Sequence, residues 1–180
     1  AVGRSSMYAN QTGNNNVAVG YNTLVNNTVS NNTAIGSQAL TANTTGASNT
    51  AVGQTALYSN TTGIYNAAVS RQALYSNTTG HQNVAVGFAA LYNNSTADNN
   101  TGIGYAALNQ NTTGKQNVAL GSQALDANTT ADNNTAIGFQ ALTANTTASG
   151  NTAVGSAALQ LNTTGNNNVA VGYQSLDANT

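Results

Sequence analysis

Four of the chain's few titratable side chains recur at intervals of seventeen residues: His81, Asp98, Lys115 and Asp132. They include the only histidine, the only lysine and half of the four acidic residues. A histidine beside a carboxylate can act as a general base with its orienting partner. No column of nucleophiles accompanies the pair, so the spacing favours a surface ladder of alternating charge, each pair contributing up to about 1 kcal/mol. We therefore expect no enzymatic activity.

The composition excludes most other kinds of site chemistry. The absence of cysteine removes disulfides and thiolate chemistry, and one histidine with four aspartates cannot supply a repeated metal site, so we expect no cofactor. Three basic residues and a net charge of −1 do not favour nucleic acid as a partner. The longest apolar runs are far shorter than the roughly 20 residues that span a bilayer, so we expect no membrane contact within this segment.

The chain is a tandem array of one short motif. A glycine closing AVG, AIG, GIG or ALG recurs every 17 residues, with one interval of 16 and with Ser70 in the one vacant place. These motif glycines are Gly3, Gly20, Gly36, Gly53, Gly87, Gly104, Gly121, Gly138, Gly155 and Gly172. About eleven copies fill residues 1–180 as a single array, and both ends fall inside a copy. We expect the array to be a window of a longer fibrous protein.

Several columns of the repeat predict buried positions. Leucine stands four residues after the motif glycine in ten copies, and Met7 takes that place in the first. Asparagine stands four residues before the glycine, and this first asparagine column predicts a stacked ladder of side-chain amides that bond to the coils above and below. Its members are Asn16, Asn32, Asn49, Asn66, Asn83, Asn100, Asn117, Asn134, Asn151 and Asn168.

A repeat of this length predicts an all-β parallel solenoid. Seventeen residues are too few for a helical hairpin, whereas a short β-branched strand, a glycine break, a second short strand at Ala-Leu and a polar Asn-Thr-Thr-Gly turn complete one coil. Stacked coils rise about 4.8 Å each. Ten to eleven coils therefore give a rod roughly 50 Å long.

The two faces of the first strand bear on the number of chains. Alternation places Ala18 and its equivalents on one face and Val19 and its equivalents on the other. If the small residue lies inside, a continuous apolar stripe faces outward, and three rods meeting there would bury it. The alternative is a single chain with valine, isoleucine and leucine inside and alanine outside.

A second asparagine column carries formal acceptors for N-linked glycans. An asparagine about seven residues after the motif glycine is followed two residues later by threonine. We interpret this column as facing outward, either bearing glycans or forming a bare ladder of turn residues. The candidate attachment residues are Asn10, Asn26, Asn43, Asn60, Asn77, Asn94, Asn111, Asn128, Asn145 and Asn162.

Aromatic and threonine columns are candidates for other binding functions. Tyr58, Tyr75 and Tyr92 lie on consecutive coils, where ring-on-ring stacking is favoured over a strip that binds sugar or a receptor. The pair Thr44 and Thr45 lies within a turn, which disfavours an ice-binding face. Four aspartates in eleven copies exclude a calcium-binding β-roll.

The repeats resemble those of a known class of fibrous protein. The segments NNTAIGSQAL, NTAVGSAAL and NVAVGYQSL are similar to head repeats of trimeric autotransporter adhesins, and they also resemble repeats of phage tail fibres. The adhesin resemblance implies a left-handed parallel β-roll packed as a trimer. The 17-residue period is longer than the usual head repeat, and Ser70 departs from the motif glycine.

Together these features predict a non-enzymatic, extracellular or cell-surface structural fibre, or an adhesin shaft or head. A phage tail-fibre shaft and a self-polymerising matrix fibril are the alternatives. The expected partners are copies of the chain itself, as a homotrimer or an end-to-end polymer, together with covalent glycans and a surface receptor.

Overall fold

The chain folds as a stack of short parallel strands. The computed structural model describes residues 1–179 and contains ten strands of three residues each. In chain order the strands β1 to β10 are Val17–Val19, Thr33–Ile35, Thr50–Val52, Ala67–Val69, Val84–Val86, Thr101–Ile103, Val118–Leu120, Thr135–Ile137, Thr152–Val154 and Val169–Val171.

Each strand pairs in parallel with the strand of the next coil, so the ten strands form one sheet in sequence order. The register keeps equivalent residues side by side, as Ala51 pairs with Ala68 and Val52 with Val69. Val2 extends the sheet through a parallel bridge to Val19. The prediction of an all-β parallel solenoid is confirmed.

The thin core consists of three buried columns, which are the central alanine of the strands and the alanine and leucine of the following turn. In every strand the central residue is buried while its two neighbours are exposed or half-buried. The leucines from Leu24 to Leu159 that follow the motif glycine are fully buried. Gly102 takes the central strand position of β6, and a Cβ there would lie 3.2 Å from Cγ of Leu91. This narrow interior suits alanine, so the interpretation that places valine and isoleucine inside the coil is wrong.

The Ala-Leu segment is a turn, which corrects the prediction of a second strand. Residues two and four after each motif glycine have positive φ, as Gln72 (61°) and Leu74 (51°) show. Such residues cannot continue a β-strand. The turn still joins neighbouring coils, because the Leu74 N–H donates to the Ala90 carbonyl at 3.0 Å.

The motif glycine ends each strand in a conformation that side chains rarely adopt. These glycines have φ between 127° and 142°. A Cβ added at Gly36 would collide with the carbonyl of Gly53 in the next coil. Ser70 adopts a φ of 121° at the same position, so it holds strained backbone that glycine avoids.

Candidate functional site

The outward residues of the strands form an uncharged surface, half of whose first column is threonine and whose second column is wholly apolar; we call it the sheet face. Its first column holds the first residue of each strand, which is valine, threonine or alanine, and its second column holds the last, which is valine, isoleucine or leucine. Val86 in the middle of the rod is 37% exposed, and Ile137 is 36% exposed. No residue of the ten strands carries a charge.

Large apolar side chains elsewhere on the described residues are few and scattered. Twenty are exposed among residues 1–179, and sixteen lie at Val2, on the strands or directly after a motif glycine. The exposed large apolar residues directly after that glycine are Tyr21, Phe88, Tyr105, Phe139 and Tyr173.

The column after the motif glycine also carries aromatic stacking and two positive charges. The rings of Phe88 and Tyr105 stack with centroids 5.7 Å apart. The guanidinium of Arg71 lies 5.5 Å from the centre of the Phe88 ring, within cation–π range. Arg4 occupies the equivalent place in the first coil. The sheet face is thus bordered on this side by aromatic rings.

The first asparagine column forms the predicted ladder. Asn32 Oδ1 accepts the backbone N–H of Asn49 at 2.9 Å, and Asn49 Nδ2 donates to the Gly63 carbonyl at 2.8 Å. The backbone-to-amide bond repeats in nine steps from Asn16 to Asn168. Both ends of the Asn49 amide therefore reach the following coil, while its own backbone N–H reaches the preceding one.

The second asparagine column lies inside the coil, so its predicted outward orientation is wrong. Asn60 Nδ2 donates to Asn43 Oδ1 at 2.8 Å and to the Gly63 carbonyl at 3.1 Å. The amide-to-amide bond repeats in nine steps from Asn27 to Asn179. The eight candidate attachment residues that the structure buries completely are Asn43, Asn60, Asn77, Asn94, Asn111, Asn128, Asn145 and Asn162.

Burial and hydrogen bonding together leave no place for a glycan on these eight amides. The Asn60 nitrogen already uses both of its hydrogens inside the fold, and a sugar would need space where the next coil lies. Of the other two candidates, Asn26 is exposed and Asn10 is half-buried. Asn27 occupies the ladder position beside Asn26.

The missing residue of the 16-residue repeat lies in the polar turn. Asn27 stands seven residues after Gly20, as Asn43 does after Gly36, but Nδ2 of Asn27 donates to the carbonyl two residues on instead of three. The ladder is therefore continuous through the shorter repeat, and the turn alone absorbs the change.

The charged column forms hydrogen bonds between coils rather than a catalytic pair. Asp98 Oδ2 lies 2.9 Å from Lys115 Nζ, and Asp98 Oδ1 accepts the backbone N–H of His81 at 2.9 Å. Asp132 Oδ1 accepts the backbone N–H of Lys115 at 2.6 Å. The structure thus brings the four predicted residues together, but Asp98 bonds the His81 backbone and does not orient its imidazole.

The pKa values of two carboxyl groups are shifted in opposite directions. Partial burial acts to raise the pKa of Asp98, but hydrogen bonds from Lys115 and the His81 backbone, with their charges, leave the pKa below its usual range. Burial alone raises the pKa of Asp126. Asp98 therefore favours its charged form in the fold, and Asp126 favours its neutral form.

The tyrosine strip stacks ring on ring, as expected. The Tyr58 and Tyr75 rings lie 5.2 Å apart and nearly parallel, and those of Tyr75 and Tyr92 lie 5.0 Å apart. Both faces of the Tyr75 ring are thus covered, one by Tyr58 and the other by Tyr92. Burial, with the neighbouring phenols Tyr92 and Tyr58, raises the pKa of Tyr75.

The described residues offer no enclosed site. Residues 1–179 contain no pocket and no cluster of three histidine or aspartate side chains that could hold a metal ion. The same residues include no helix long and apolar enough to cross a membrane. The surface features that remain for function are the sheet face and its aromatic border.

Comparison with known proteins identifies no relative. No protein-family model, curated protein or solved structure matches this chain. The geometry of the rod itself must therefore carry any functional argument.

Proposed function

We propose that the chain forms a non-enzymatic extracellular fibre in which three parallel copies pack along their sheet faces, serving as the shaft or head of a surface adhesin. The observation that carries this proposal is the exposed apolar sheet face. A monomeric protein rarely leaves so extended an apolar surface in water. A second and a third copy of the same chain are the partners whose surfaces match it in length and chemistry.

The sheet face would supply the centre of such an interface, with the aromatic column beside it adding area. With ten strands at about 4.8 Å per coil and three residues per strand at about 3.3 Å each, the sheet face covers roughly 480 Å². Stable interfaces bury about 800 Å² on each partner. Because the strands carry no charged residue, packing them together leaves no unpaired charge at the centre of the interface.

Side-chain bulk on the sheet face differs from coil to coil, from Ala67 with Val69 in β4 to Val118 with Leu120 in β7, so copies in the same register would place like pairs together. All three isoleucines of the second column share their strand with threonine, in the pairs Thr33 with Ile35, Thr101 with Ile103 and Thr135 with Ile137. Strands that begin with valine end in valine or leucine. About a threefold axis parallel to the rod, each coil meets only the same coil of its partners.

The bonding between coils suits a load-bearing shaft. Strand pairing and two asparagine ladders join each internal coil to the next, so a bend or a pull must strain several hydrogen bonds at once. Because the described residues contain no pocket, recognition by such a shaft would use its exposed surface. A rigid, repetitive surface can place many identical contacts along a target.

Immunogold labelling of intact source cells tests the proposed location and form. Antibodies raised against the folded rod are expected to label filaments outside unpermeabilised cells. Labelling that needs permeabilisation, or that is confined to phage particles, would contradict the assignment as a surface adhesin.

A further inference from the structure

One outward column links neighbouring coils through hydrogen bonds, each with a single side-chain acceptor. Eleven residues after the motif glycine, a backbone N–H is accepted by a side chain of the next coil in several places. Asp98 accepts from His81, Asp132 from Lys115, and Asn166 from Ser149. Different side chains thus perform the same function at this position.

His81 is the member of this set whose accepting atom is a ring nitrogen, which stops accepting once it is protonated. Its Nδ1 accepts the backbone N–H of Ile64 in the preceding coil at 3.0 Å. A nitrogen that accepts a hydrogen bond must be unprotonated, so the neutral ring carries its proton on Nε2. In the imidazolium form both nitrogens are donors, and the Ile64 N–H then faces another N–H.

The charged groups around the imidazole lie on the side of the following coil, away from the Ile64 N–H. The preceding coil presents Ile64, which has no charge, and the following coil presents Asp98. Both Asp98 oxygens are already bonded, Oδ1 to the His81 backbone and Oδ2 to Lys115. Lys115 adds a positive charge beyond Asp98. Each carboxylate oxygen can accept a second bond, so Asp98 can attract the imidazolium, but it lies in the following coil and cannot replace the acceptor that the Ile64 N–H loses.

We propose that His81 is an acid-sensitive joint, at which protonation of the imidazole breaks the Ile64 bond and loosens the stack between these two coils. The change is local because strand pairing and both asparagine ladders are independent of His81. The rod would therefore gain flexibility at one defined level when the imidazole is protonated.

Amide hydrogen exchange of the folded chain between pH 7.5 and 5 tests the joint. We expect the protection of the Ile64 amide, normalised for intrinsic exchange, to fall by roughly five- to tenfold over this range. The Ser149 amide, held by Asn166 in the same column, is the internal reference and is expected to keep its protection.

The matched variant is His81→Asn, because asparagine already fills this role at Asn166. The Ile64 amide of H81N is expected to stay protected at both pH values, while His81→Ala should leave it unprotected at both. The same pH response at Ile64 and Ser149, or the same response in H81N as in the unsubstituted chain, would overturn the proposal. A ring nitrogen spectrum showing protonated Nδ1 at pH 7.5 would overturn it as well.

Discussion

At the scale of single residues, the strained backbone at Ser70 gives the clearest prediction. Replacing Ser70 by glycine removes a side chain from a φ of 121° and is expected to stabilise the rod by about 1–3 kcal/mol. Chemical denaturation measures the change. Ser70→Ala keeps the Cβ and is expected to gain little. An S70A variant as stable as S70G would show that the hydroxyl, rather than the backbone, causes the strain.

Burial of Asp126 predicts that its contribution to the stability of the rod depends on pH with the opposite sign to that of a paired carboxylate. Because burial raises its pKa in the fold, its contribution to stability is fully present below the unfolded pKa and is lost as the pH rises through the folded pKa. Asp126→Asn, which copies Asn109 of the preceding coil, should therefore raise the melting temperature at pH 7 and have a smaller effect at pH 3. An effect of equal size at both pH values would exclude charge burial as its cause.

The two asparagine columns show what residue patterns reveal and what they miss. The first column was predicted as a ladder because asparagine stands there in every complete copy. The second was interpreted as an outward glycan column because Asn-x-Thr matches an acceptor motif. The available signal is at Asn27, which keeps the seven-residue distance from Gly20 although the acceptor of that copy is Asn26. A constant distance from the motif glycine, rather than a match to Asn-x-Thr, predicts that an asparagine is buried.

At the scale of the coil, the strand could be predicted and the turn could not. Alternation of valine with alanine predicted that the two residue types of Val17–Val19 face opposite sides, and left open which of them lies inside. The Ala-Leu segment was predicted as a strand because its residues are apolar. Its positive φ angles are imposed by stacking against the neighbouring coils, and no local propensity of leucine favours them.

The leucine column should tolerate unbranched side chains and reject β-branched ones. Leu108 is buried at a φ of 53°, a conformation especially unfavourable for a residue branched at Cβ. Leu108→Ile is expected to destabilise the rod by about 1–2 kcal/mol more than Leu108→Met. Met7 already occupies this place in the first coil with a φ of 55°. Equal denaturation midpoints for L108I and L108M would contradict this account.

At the scale of the whole molecule, the repeat predicted one continuous array. The structure of one rod does not determine how several copies assemble. The sequence indicated that either alanine or valine faces inward, and the structure places alanine there. The number of copies depends on how sheet faces meet, which involves side chains of other chains. The trimer therefore stays a proposal that rests on the exposed sheet face.

The sedimentation equilibrium mass of the chain is the most direct test of the shared sheet face. The chain mass is 18.0 kDa, so three copies predict 3 × 18.0 = 54 kDa. Val86→Asp places a charge in the middle of the sheet face and should shift the mass towards one chain, because burying an unpaired carboxylate is costly. Thr113→Asp, on the exposed polar turn, is the matched control and should leave the mass at 54 kDa. A folded chain that sediments at 18.0 kDa across the accessible concentrations would contradict the account.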